Sequence, residues 1–104
     1  MHDLSICMRV AEIEGVEYLQ QGYVVIVNYN GSGEVKDWEE FNPLTDDALC
    51  FMLMKKYEIS LYKENDIEWS AEYGCDKGEQ AISTTPNKAI CLAIIEAHKE
   101  TNNE

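Results

Sequence analysis

The chain has 104 residues, 45% of them hydrophobic and 27% charged, and its 20 acidic against 8 basic residues give a formal net charge of −12. That length accommodates one domain, residues 1–104, and the composition excludes a disordered chain. A field of this sign repels phosphate backbones and anionic lipid, so the expectation is no direct nucleic-acid contact and no membrane binding. It favours a partner with a basic surface, although solubility alone would also account for it.

In chain order, Asp3 is a candidate N-cap for a first helix over residues 4–14. Leu4, Met8 and Ala11 form one stripe at helical spacing, with Ile6, Val10 and Ile13 beside it, and Gly15 is placed to end the helix. Tyr23 to Val27 is β-branched and aromatic throughout and apolar on both faces, which predicts a central strand in a covered sheet. Glu17-Tyr18-Leu19, before Gln20-Gln21-Gly22, is a short candidate partner strand. Asn30-Gly31 signals a turn. Glu34 to Phe41 reads equally as an edge strand or as irregular chain.

Thr45 is the expected N-cap of a second helix, with Asp46 and Asp47 in its first turn, where carboxylates meet the positive end of the helix dipole. Ala48 to Met54 is an unbroken apolar run ending at Lys55 and Lys56. A helix apolar nearly all round demands cover on more than one side, from a neighbouring helix or from a second subunit. Three strands are predicted next, at Ile59 to Tyr62, Ile67 to Tyr73 and Glu79 to Ser83. In the second, Ile67, Trp69, Ala71 and Tyr73 alternate with Glu68, Ser70 and Glu72, the period of a sheet with one buried and one wet face. Trp69 is assigned to the core on that pattern, and Met8, Met52 and Met54 are taken as core filler. Thr85-Pro86 opens a last helix, in which Ala89, Ala93 and Ala97 recur at i+4 beside Ile90, Leu92 and Ile94. His98 and Lys99 lie near its C-terminal end. The order of three helices and short hairpin links implies an α+β fold with a largely antiparallel sheet.

Of the four cysteines, Cys7, Cys50 and Cys91 sit in apolar runs, where cysteine behaves as a small hydrophobe, and all four are expected as reduced thiols. Cys75 lies in the turn-like Gly74-Cys75-Asp76-Lys77-Gly78, where acidic neighbours raise a thiol pKa. Met1-His2-Asp3-Leu4 has no basic region leading into an apolar stretch, so the expected location is the cytoplasm.

Asn42-Pro43-Leu44-Thr45-Asp46 opening a helix, Trp69-Ser70-Ala71 in a strand and Ala89-Ile90-Cys91-Leu92-Ala93 in the closing helix resemble the phage ABA sandwich domain family. Met8-Arg9-Val10-Ala11-Glu12 before Gly15 is similar to that family's opening helix, whereas Val16 to Glu40 is poorly matched. The resemblance implies a phage or prophage gene. It also implies a three-layer α/β/α sandwich around a sheet of about 4–5 strands with three helices, and no particular activity.

The residues needed for catalysis are sparse. Asn30-Gly31-Ser32-Gly33 lacks both the lysine and the following helix of a phosphate-binding loop. With only His2 and His98 there is little material for a nucleophile–base pair. The cysteines form no CxxC pair for zinc, and Asp76-Lys77-Gly78-Glu79 lacks the alternating oxygen ligands of a calcium loop. The expectation is a non-enzyme with no cofactor and no metal. In Glu34-Val35-Lys36-Asp37-Trp38-Glu39-Glu40-Phe41, two large aromatics stand among four carboxylates. Either Trp38 is an exposed anchor for a basic, partly apolar groove, or Trp38 and Phe41 pack inward while the acids face water.

The reading is therefore a phage-encoded binding protein, acting in the host cytoplasm. Its expected target is a host defence or nucleic-acid-handling protein with a basic surface, engaged in the manner of anti-CRISPR and DNA-mimic inhibitors. The candidate contact residues are Glu34, Asp37, Trp38, Glu39, Glu40, Asp46 and Asp47. One alternative is a structural or accessory protein that forms a homo-dimer or larger homo-oligomer through its apolar helices. Another is a small-ligand sponge for a nucleotide, made awkward by Arg9 being the only arginine.

Overall fold

A computed structural model describes residues 2–29, 38–73 and 80–102. The Asn30-Gly31 turn, the Gly74 to Gly78 turn with Cys75, and Glu79 lie outside the described residues, as do the side chains of the helix from Lys99 onward. The elements run α1 (Asp3–Glu14), β1 (Glu17–Gln21), β2 (Val24–Asn28), β3 (Glu39–Glu40), α2 (Asp47–Lys56), β4 (Ile59–Lys63), β5 (Trp69–Tyr73), β6 (Gln80–Ser83) and α3 (Pro86–Asn102). The α+β class, the three helices and the antiparallel pairing are as expected. The strands, however, form two three-stranded sheets, β1-β2-β3 and β4-β5-β6, rather than one sheet of four to five. Each strand pairs with its neighbour in sequence, and α2 intervenes between the third strand and the fourth. The sheets fall in separate compact units, residues 1–42 and 43–104.

In the first unit, α1 begins with His2 at the N-cap, without a side-chain cap bond, and takes Asp3 into its first turn instead. Its end is as predicted. Gly15 is left-handed at φ 74°, its amide donates to the Glu12 carbonyl (3.0 Å), and the Val16 amide donates to the Ala11 carbonyl (3.4 Å). The buried stripe is Ile6, Cys7, Val10 and Ala11, so Cys7 joins it while Leu4, Met8 and Ile13 lie half-covered at its flanks.

The predicted central strand is β2, paired on one side with β1 and on the other with β3. Tyr23 does not belong to it. A two-residue turn, Gly22-Tyr23, joins β1 to β2, with Gly22 at φ 64° supplying the positive φ such hairpins need at their first central position. Tyr23 is left 97% exposed at the tip. The register puts Val25, Val27 and Tyr18 on one face, and Val25 and Val27 are buried there. The Tyr18 hydroxyl reaches Glu12 of α1 (3.2 Å), so this is the face that meets the helix.

In the second unit, Asp46 rather than Thr45 caps α2, its carboxylate accepting from the Leu49 amide (3.1 Å). Thr45 lies one residue earlier, in the turn. Asn87, near the start of α3, holds this corner in place: its side-chain amide donates to the carbonyls of Pro43 and Leu44 (3.2 Å each) and to Asp47 Oδ1 (2.9 Å). At its other end α2 passes through Tyr57 into Glu58, which is left-handed at φ 54°. The helix thus ends at the lysine pair, as read from the sequence, although a non-glycine residue rather than a glycine makes the left-handed turn.

Strand β5 is the middle of its sheet. The register sets Ile59, Leu61, Ala71 and Ala81 on the face toward α3, and Ile59, Ala71 and Ala81 are buried. Three residues depart from the alternation read in the sequence. Ile67 lies in the turn before β5 and is largely exposed, because Asn65 holds that turn by accepting from the Ile67 and Glu68 amides (3.0 Å each). Trp69 is only half-buried; it stands at the strand's end opposite Lys63, whose ammonium sits 5.4 Å from the ring centre. Ser70, placed on the wet face, is fully buried. It lies directly between Tyr62 and Ile82, large enough to close over a hydroxymethyl group, while Gln80 bonds Tyr62 (2.9 Å) and Glu72 (3.3 Å) on the same face.

Helix α3 starts as predicted. Thr85 Oγ1 accepts from the Lys88 amide (3.3 Å), and Pro86 occupies the first helical position. Ala89, Ala93 and Ala97 are buried with Ile90, Cys91, Ile94 and Ile95.

Gly15→Ala should lower stability by about 1 kcal/mol in urea denaturation, with Gly15→Asn milder. A Cβ there meets nothing within 4 Å, so the cost is conformational alone. Asp46→Ala should cost about 1 kcal/mol through the lost cap, and Asn87→Ala roughly 1–3 kcal/mol by stripping two carbonyls and a carboxylate of their donor. A neutral Asn87→Ala would show that the corner is held by other contacts.

Candidate functional site

The sequence-predicted contact residues do not behave as one group. Glu34 and Asp37 lie outside the described residues. Phe41 is core: it is 1% exposed, and its amide donates to the Val25 carbonyl (2.8 Å) beside β3. Trp38, by contrast, is half-buried. Of the two readings of this aromatic pair, inward packing therefore holds for Phe41.

Glu39 and Glu40 are both exposed and form the whole of β3. Glu39 stands opposite Val27 and Glu40 opposite Ile26, so their side chains leave opposite faces of the sheet. Adjacency in sequence thus disperses this pair. Asp46 and Asp47 are exposed too, but both carry structural duties, one capping α2 and the other accepting from Asn87. Both stand at the N-terminal end of α2, the positive end of the helix dipole.

A surface that sequence reading missed lies on the second unit. Between α2, β4 and α3 runs a groove of about 370 Å³, lined by Cys50, Phe51, Met54, Leu61, Pro86 and Ile90, with Asp47 and Asn87 at its edge. The apolar run of α2 is not covered all round as its composition demanded. Cys50 and Leu53 are buried, whereas Phe51 is 57% and Met52 49% exposed, so Met52 is not core filler. Phe51 carries only the Lys55 ammonium over its ring, at 5.6 Å. The signal was in the sequence, since seven consecutive apolar residues cannot all face one core, but which of them stay outside depends on where α3 lies.

Cys50, which lines that groove, has its thiol hydrogen-bonded to Cys91, and Cys50 Sγ also points at the Asn87 carbonyl (3.8 Å). Contact with Cys91 lowers the Cys50 pKa, while burial and the carboxylates of Asp47 and Asp46 push it upward. Further along α3, His98 Nδ1 donates to the Ile94 carbonyl (2.8 Å), an oxygen that can only accept. Its ring meets Tyr57 edge-on, at 5.2 Å. Among the described residues, no three His, Cys, Asp or Glu side chains are grouped to hold a metal ion. No helix among them is long and apolar enough to cross a membrane.

No curated protein and no solved structure matches the chain. The likeness to the phage ABA sandwich family and the match to a family model agree at the coarser level, that of a phage protein, though under different family names. The matching model is described as Bacteriophage P22, NinX, and it covers residues 1–98 of the 104, so the chain belongs to the bacteriophage P22 NinX family.

Proposed function

We propose that this phage protein acts by surface contact rather than by catalysis, binding a host protein through exposed carboxylates. The observation that carries the reading is the net charge of −12 together with the solvent exposure of acids such as Glu17, Glu39, Glu40, Glu64 and Asp66. Exposed charges keep their hydration until a partner arrives. They contribute mainly by steering encounter with a basic surface and by rejecting acidic ones. A host nucleic-acid-handling or defence factor is the partner class that best fits, because its basic groove is built to accept phosphates and dense carboxylates can imitate them. Membership of a phage family supports a target in the bacterial host cytoplasm.

Within the candidate set, the reading now rests on Glu39 and Glu40 more than on Asp46 and Asp47, which are engaged within their own unit. The test is affinity capture from bacterial lysate with protein identification by mass spectrometry. A retained partner should be released as salt rises from about 0.1 M to about 1 M, which shortens the screening length from about 10 Å to about 3 Å. Glu39→Lys with Glu40→Lys should weaken retention markedly while leaving the thermal midpoint nearly unchanged. Salt-insensitive capture, or full retention by the reversed variant, would sink the reading.

A second reading, self-association through α2, draws support from the exposed Phe51 and Met52 beside the apolar groove. Light scattering should then show a mass that rises with concentration and falls to the monomer in Phe51→Ser. A monomer at all concentrations would discard it.

A further inference from the structure

We propose that Cys50 and Cys91 form a peroxide-oxidisable dithiol that closes to an intramolecular disulfide between α2 and α3. The two helices pack directly on one another, the Cys50 thiol lies 3.8 Å from the Asn87 carbonyl, one helical turn before Cys91, and the two thiols are hydrogen-bonding neighbours. Both residues are enclosed, at 1% and 0% exposure, so the pair is shielded from other proteins and from bulky oxidants. Cys50 nevertheless lines the groove together with Phe51, Met54 and Ile90, which is a route for a molecule as small as hydrogen peroxide. Packing alone does not call for sulfur at both positions, since α3 elsewhere fills its tight contacts with Ala89, Ala93 and Ala97.

The chemistry is balanced with one peroxide. The Cys50 sulfur attacks a peroxide oxygen, the O–O bond breaks, and Cys50 becomes a sulfenic acid while the second oxygen leaves as water with the thiol proton. The Cys91 sulfur then attacks the Cys50 sulfur. The S–O bond breaks, the S–S bond forms, and a second water leaves with the Cys91 proton. Each sulfur is oxidised by one electron, and hydrogen peroxide is reduced to two waters. The sulfenic acid is short-lived because its resolving thiol is already in contact. The product ties α2 to α3 around the loop that carries β4, β5 and β6. Cys7 provides an internal comparison: it is likewise buried, but lies in the other unit, with its thiol bonded to Asn42 (3.4 Å).

The experiment treats the reduced, folded full-length protein with a slight excess of hydrogen peroxide, blocks remaining thiols under denaturing conditions, and maps the products by mass spectrometry. The expected result is a loss of two hydrogen atoms, a Cys50–Cys91 linked peptide, an unmodified Cys7, and full reversal by dithiothreitol. The thermal midpoint should rise on oxidation of the wild type and of Cys7→Ala, but not of Cys91→Ala. Recovery of both Cys50 and Cys91 as blocked thiols from the wild type would overturn the proposal. So would a linkage to another cysteine, or irreversible oxidation of Cys50 with Cys91 still free; none of these readouts requires a variant to fold.

Discussion

The second unit depends on α3 lying close against the sheet β4-β5-β6. Its buried alanines, Ala89, Ala93 and Ala97, have almost no side chain to hold the helix off, while Ile90, Ile94 and Ile95 supply apolar area at the same face. Burying a residue such as Ile94 or Leu53 contributes roughly 1.5–3 kcal/mol, so a few such positions decide whether the unit folds. Because α3 is fixed on the sheet, α2 has only one flank left to cover, and Cys50 and Leu53 take it. The groove, the hydrogen-bonded thiols and the exposed Phe51 and Met52 all follow from that geometry.

Asn87 links this packing to the chain that enters it. One side-chain amide from α3 holds two consecutive carbonyls and the Asp47 carboxylate, so the segment from Pro43 to α2 is positioned by the same helix that organises the sheet. Backbone carbonyls in a turn need donors, and a single amide meeting three acceptors is an economical answer. The acids at the start of α2 are thereby drawn into local structure. This is why a cluster that reads as a recognition surface turns out to be partly occupied with holding the helix.

Charge acts at a different level. Among the described residues, the carboxylates lie mainly at the surface, with Arg9 paired to Glu12. Exposed pairs of this kind contribute little to stability. The acidic surplus therefore adds little that holds the fold together. The contact reading draws on charge and exposure, whereas the thiol pair draws on packing, and the two stand independently.

Much of the fold was legible because it is set by local chemistry. Gly15 ends α1 since a left-handed residue was needed there, Thr85-Pro86 opens α3, and the β-branched run of β2 proved to be the central strand. Local patterns misled where a neighbour in space decided the outcome. Tyr23 has strand propensity but sits in a turn because Gly22 precedes it, and Ser70 is buried because Tyr62 and Ile82 flank it across the sheet. Sequence by itself determined the class, the helices, the excess of acid and the presence of four thiols, all being properties of composition and short-range spacing. Only tertiary structure decided that the strands form two sheets, that Glu39 and Glu40 leave opposite faces, and that Cys50 meets Cys91. Each of those depends on register or on helix docking, and neither is encoded in any one segment.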